Sequence, residues 1–130
     1  MNAFIAFLVL SVGAVLLMQY LAVRRARRAE GRPAPDTMAV DGPACADRLR
    51  VYYFYSQHCG PCRSTTPLVE RLQSDHRNLI KVDVTLEPDL TQAFGIAATP
   101  CFVQVEGGEI KRVYLGSQSE GKLRSLLHDG

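Results

Sequence analysis

The chain changes texture twice along its length. Residues 3–23 are apolar except at Ser11, Gly13 and Gln19, and carry no charge. As an α-helix that run is about 30 Å long, the thickness of a bilayer's hydrocarbon core, so it predicts one membrane-spanning helix. Residues 30–47, EGRPAPDTMAVDGPACAD, contain three prolines and two glycines and hold no apolar period, the texture of a tether. From Leu49 the pattern becomes that of a folded domain. Residues 50–56 concentrate β-branched and aromatic side chains, as in a strand buried on both faces. Residues 64–76 carry a helical stripe through Leu68, Val69 and Leu72, with Pro67 as a kink. Residues 79–84 predict a second strand and residues 89–94 a short helix that Gly95 ends. Residues 101–105 and 110–115 flank Glu106-Gly107-Gly108-Glu109, a hairpin, and residues 120–127 form a closing helix with Leu123, Leu126 and Leu127 inward.

The order is therefore β-α-β-α-β-β-α after one transmembrane helix. Strand, helix, strand implies a parallel pair joined by a crossover, to which the second half adds an antiparallel hairpin. The expected division is a membrane helix over 1–23, a basic juxtamembrane segment and tether over 24–47, and a single α/β domain over 48–130. About 85 residues suffice for one modest core and exclude two domains.

Charge sharpens this picture. The whole net charge of +2 belongs to residues 1–43, because residues 44–130 hold ten basic and ten acidic side chains. A neutral domain lacks the clustered positive surface that nucleic acid requires, so no nucleic-acid partner is expected. Arg24, Arg25, Arg27 and Arg28 follow the apolar run directly, whereas a cleaved signal peptide carries its positive charge before it. The positive-inside bias then puts the domain in the cytoplasm and the N-terminus outside. An export signal leaving the domain outside is the competing reading.

The chemistry lies in Cys59-Gly60-Pro61-Cys62, between the first strand and its helix. At a helix start the first sulfur meets unsatisfied amide N–H groups and the positive end of the dipole, which favour thiolate over thiol. Cys62 lies one turn further in, within disulfide reach. Cys59 is the expected nucleophile, and Cys62 the thiol that resolves the mixed disulfide. Half of a zinc site is the competing reading, but it needs a second ligand pair and Cys45 and Cys101 stand alone, so no metal is expected. Cys101 reads as a buried hydrophobe or as a thiol near the site. Cys45 reads as an exposed bystander, or a thiol that pairs with another chain. His76 and His128 read as solvated, and Glu87 and Asp89 as a helix start.

Cys59-Gly60-Pro61-Cys62 after an aromatic strand, with Thr99-Pro100 opening a later strand, resembles the thioredoxin family. Lys81, Gly95-Ile96, Gly116 and the kinking Pro67 fall at matching positions, and the resemblance covers about residues 48–128. It implies a thioredoxin-like fold, a cis Pro100 whose loop faces Cys59, a Thr99 backbone that pairs with substrate, and no cofactor beyond the redox-active disulfide. Lys81 takes the place of the family's buried strand lysine near the active site. Two positions depart from the pattern. The family's buried acid is replaced by Tyr53, which leaves Lys81 without its usual acidic neighbour and the proton route to Cys62 open. The tryptophan before the first cysteine is His58, read either as a cation that tunes the Cys59 thiolate or as a solvated loop residue. The family's leading strand and helix would fall in residues 28–47, which lack their pattern, so a trimmed fold is expected.

The expected function is a membrane-anchored thiol–disulfide oxidoreductase reducing protein disulfides, since Gly60-Pro61 between the cysteines resembles reducing members of the family. Its partners would be a protein disulfide, with a membrane protein as one candidate carrier, a thiol electron donor or acceptor, and the bilayer through residues 3–23. The alternatives are an extracytoplasmic oxidoreductase, for example in cytochrome maturation, and a non-catalytic adaptor that holds a peptide beside Pro100 by strand pairing.

Overall fold

The structure is a computed structural model and describes residues 1–128. Helix α1 (Asn2–Arg27) is uninterrupted, and its most apolar stretch is not buried against the domain. By length and composition it is a candidate membrane span. Arg24, Arg25 and Arg27 fall in its last turn, where cations complement the negative end of the helix dipole.

The domain is a four-stranded sheet in the order β2-β1-β3-β4, built from β1 (Leu49–Tyr55), β2 (Leu79–Asp83), β3 (Cys101–Glu106) and β4 (Glu109–Leu115). Strand β1 runs parallel to β2 and antiparallel to β3, and β3 and β4 form the hairpin. The mixed sheet is the thioredoxin-like arrangement the sequence predicts, and its boundaries lie within two or three residues of those expected.

Both faces are covered, which is why β1 reads as an unbroken apolar run. Tyr52 and Phe54 point to one side with Ile80, Val82, Val103 and Val105, closed by Phe94 at the end of the short helix over Pro88–Ala93. Val51 and Tyr53 point to the other side, against Val69 and Leu72 of the helix over Cys62–Gln73 and Leu123 and Leu126 of the helix over Glu120–His128. A register shift opposite Gln104 and Val105 lets Ile110 and Val113, three apart, share one face. Strict alternation along β4 could not have shown this.

The segment expected as a tether is shorter in the structure, because two parts of it pack on the domain. Residues 31–34 lie along the free edge of β4. Gly31 N–H donates to the Ile110 carbonyl (2.7 Å), Ile110 N–H to the Arg32 carbonyl (2.9 Å) and Ala34 N–H to the Gly108 carbonyl (2.8 Å). Further on, a four-residue helix, α2 (Met38–Asp41), and a 3₁₀ turn (Gly42–Ala46) bury Thr37, Asp41 and Ala44. The cause is a polar cluster: Asp41 accepts from Tyr52 Oη (2.6 Å) and Thr37 Oγ1 (2.7 Å), and its carboxylate pairs with Arg50. Its members lie up to fifteen residues apart in sequence, so no local pattern reveals them. The fold is trimmed as expected, with no leading strand among the described residues beyond the isolated bridge of Pro33 to Glu109.

Candidate active site

The cysteine pair sits where β1 hands over to the next helix, α3 (Cys62–Gln73). Ser56 carbonyl accepts from Cys59 N–H (3.2 Å), closing the turn after the strand. Pro61 immediately precedes the helix, and its carbonyl accepts from Ser64 Oγ (3.1 Å) and Thr65 Oγ1 (3.2 Å). A proline there loses nothing, because a first-turn N–H has no intrahelical partner, and its fixed φ suits the helix start. Cys59 and Cys62 are joined as a disulfide with Cα atoms 5.3 Å apart. The two sulfurs are not equivalent. Cys62 is 2% exposed, whereas Cys59 is half-buried and flanked by the exposed Gly60 and Pro61. Cys62 N–H donates to Cys59 Sγ (3.3 Å), so the first free amide of α3 is aimed at the outer sulfur.

Thr99-Pro100 is a cis peptide, as the resemblance implies. Cys101 pairs with Phe54 near the end of β1, and Gly116 N–H donates to the Pro100 carbonyl (2.8 Å). Pro100 and the cysteines therefore occupy the same end of the sheet. Gly116 adopts φ +83°, a conformation glycine takes without the Cβ penalty.

Lys81 is not buried alone. Its Nζ donates to Glu70 Oε1 (2.9 Å) and lies 5.6 Å from the Tyr55 ring, with about a quarter of the side chain exposed (28%). Its acidic neighbour thus comes from α3 and not from β1, and Glu70 lines the same cleft as Cys59, Cys62 and Thr66. Sequence reasoning missed Glu70, since nothing local says which helix residue faces β2. Where the family places an acid, Tyr53 is fully buried, stacked on Tyr55 and Phe102, with Oη 2.9 Å from Thr66 Oγ1. Burial raises the Tyr53 pKa, against a smaller lowering by the Thr66 bond, so the phenol stays neutral and offers no base.

His58 is exposed, and its N–H donates to Ser56 Oγ (3.2 Å). The nearby Asp83 has its pKa lowered first by the Thr85 hydroxyl, against burial, then by the Thr85 and Leu86 amides, and least by His58. Burial pushes the Cys101 thiol up to about 12, which makes it inert near neutral pH. That supports the buried-hydrophobe reading, and Cys45 is the exposed free thiol. His76 and His128 meet each other, with Nε2 atoms 3.2 Å apart, and are not simply solvated. Among the described residues, no three metal-ligating side chains converge.

Comparison with known proteins points the same way. The Drosophila melanogaster protein Thioredoxin-T is 33% identical over 84 residues, 62% of this chain, and the chain spans only 53% of that relative's length. A thioredoxin of Borreliella burgdorferi is 32% identical over 88 residues, covering 64% of this chain and 74% of its own. Among solved structures, a mutant thioredoxin from Halobacterium salinarum superposes with a TM-score of 0.62 at 27% identity, over 76% of this chain and 88% of its own. Fasciola hepatica thioredoxin gives 0.55 at 34% identity, over 62% and 78%. The family model described as Thioredoxin matches residues 43–129. With a disulfide-forming cysteine pair at a helix start, a cis proline at the same end of a mixed four-stranded sheet, and that family match over more than half its length, the chain belongs to the thioredoxin family.

Proposed function

We propose that this protein is a membrane-anchored thiol–disulfide oxidoreductase that reduces protein disulfides on the cytoplasmic face through a Cys59–Cys62 cycle. The observation that carries the reading is the asymmetry of the pair, an outer sulfur that receives a helix amide and an inner one that is buried. Cys59 thiolate attacks a substrate disulfide, one substrate sulfur leaves as a thiol, and a mixed disulfide forms. Cys62 then loses its proton and attacks Cys59 Sγ, which releases the second substrate thiol and leaves the Cys59–Cys62 disulfide. Two electrons pass to the substrate, and a thiol donor returns them. Thr99, beside the cis Pro100, is the backbone that pairs with the substrate chain, and Gly60 and Pro61 keep the approach to Cys59 low and uncharged. Because Tyr53 is neutral, the Cys62 proton leaves through water in the cleft, where Glu70, held by Lys81, is the carboxylate.

The Arg24–Arg28 cluster supports a cytoplasmic domain through the positive-inside bias, and a reducing compartment favours the reductase direction. A reporter active only outside the cytoplasm, fused after Gly130, is expected to stay silent. Strong activity there would favour the extracytoplasmic alternative. In micelles the full chain should accelerate reduction of a protein disulfide by dithiothreitol and Cys59→Ser should not, whereas equal rates would leave only the adaptor reading.

A further inference from the structure

The way α1 is joined to the domain fixes which end of the sheet meets the bilayer. After α1 the chain descends along β4 in order. Val23 and Arg27 lie against Val113, Tyr114 and Leu115. Glu30 accepts from Val113 N–H (3.2 Å) and its carboxylate lies 3.8 Å from Arg112. Gly31 and Arg32 then pair with Ile110, and Ala34 with Gly108. Traced backwards, the path climbs from Gly108 to Leu115 and leaves the domain as the exposed apolar part of α1. Leu115 is also the redox end of the sheet, for it pairs with Cys101, which pairs with Phe54, and Cys59 follows five residues later. From β4 to β1 is two strand spacings, about 10 Å. On the neighbouring face, Arg25 and Arg28 line a cleft with residues 95–97, the loop that leads into Thr99-Pro100.

We infer that the Cys59–Pro100 rim faces the membrane surface, and that the preferred substrate is a disulfide of a membrane protein lying close to the headgroup plane. This rests on the reading of α1 as a membrane span. The two loops around the disulfide, Gly60-Pro61 and residues 95–100, contain no charged residue, so bringing them to the interface desolvates no ion. The charges nearest on the tethered side are arginines, which anionic headgroups attract. Asp83 closes β2, the edge strand opposite the anchor, and Glu70, in the cleft of the cysteines, is paired with Lys81. The clamp along β4 keeps the domain from swinging the rim toward bulk solvent. A disulfide held at the same height meets Cys59 at a raised effective concentration, while one far above the membrane does not.

The test uses the full chain in nanodiscs of phosphatidylcholine and phosphatidylglycerol carrying a headgroup nitroxide. On a Cys45→Ser background, Ala97→Cys or Glu109→Cys receives a fluorophore; Cys59 and Cys62 are protected as the disulfide and Cys101 is buried. The Ala97 probe is expected to be quenched several-fold more than the Glu109 probe. Equal or reversed quenching in protein that resists alkaline extraction overturns the orientation alone, and protein that washes off at alkaline pH overturns the span and the inference with it. For the substrate, single-span peptides carry a disulfide loop about 5 or about 40 residues beyond the span, a difference in reach of tens of ångströms. With dithiothreitol as reductant, the near loop should be reduced at least about fivefold faster than the far one, the gain that co-localisation gives. A ratio near one, or a soluble protein disulfide reduced as fast as the near loop, overturns the substrate assignment.

Discussion

Replacing Asp41 with alanine should destabilise the domain out of proportion to its place in a proline-rich segment. The Asp41 side chain is 1% exposed and its partner Arg50 15%. Removing the carboxylate strands the Arg50 guanidinium, whose Nε already lacks a partner, and withdraws the acceptor of Tyr52 Oη and Thr37 Oγ1. Breaking a buried ion pair from one side costs about 3–5 kcal/mol. A domain of this size has about 5–13 kcal/mol in total, so about a quarter or more of its stability is at stake. With a urea dependence of roughly 1–1.5 kcal/mol per molar, the unfolding midpoint should fall by about 2–5 M. The chain has no tryptophan, so tyrosine fluorescence of the full chain in micelles, which includes Tyr52 itself, reports the transition. The double variant Asp41→Leu with Arg50→Met replaces the pair by apolar side chains and should recover to within about 2 kcal/mol of the parent. A fall of less than about 0.5 M for Asp41→Ala would show that the cluster does not hold α2 to the sheet.

Three further outcomes follow from the same geometry. Glu70→Gln should shift the pH dependence of mixed-disulfide resolution, read by trapping the intermediate with acid at successive pH values; an unchanged profile would mean that solvent alone takes the Cys62 proton. Asp83 has a folded pKa below its unfolded value, so its contribution is present above the ordinary carboxylate range and is lost as pH falls through the lowered value. Asp83→Asn should therefore flatten the decline of the urea midpoint between about pH 5 and 3, and a parallel decline would refute the assignment. In the oxidised native chain, iodoacetamide at pH 8 should modify Cys45 and spare Cys101, whose thiol burial pushes up to about 12, while unfolding should expose both to the reagent. Rapid native labelling of Cys101 would contradict its burial.

The sequence revealed whatever is written locally. The aromatic run of β1, the Cys59–Cys62 spacing at a helix start and the apolar run of α1 each announce themselves within one turn or one strand. Glu70 and Asp41 did not, because each acquires its role from a partner on another element, Lys81 on β2 and Arg50 and Tyr52 on β1. Asp41 was also masked by composition. Three prolines and two glycines imply a mobile segment only when its polar side chains have no buried partner, and here Tyr52 carries a hydroxyl into the core that needs an acceptor. The bulge that turns Ile110 and Val113 to one face escaped for a similar reason, since period-two alternation cannot register an extra residue.

The segment over residues 31–34 also changes how many copies can share one membrane. An open strand edge offers rows of unpaired N–H and C=O groups to a neighbour, and anchored molecules diffusing in a plane collide with their sheets at similar heights. Here β4 is covered, and the cover itself is a poor template: Arg32 N–H is taken by the Ala29 carbonyl (3.2 Å), and Pro33 has no N–H. A second molecule arriving on residues 31–34 finds no free backbone N–H there with which to extend the sheet, so crowding in the bilayer need not lead to aggregation through that stretch of the anchored edge.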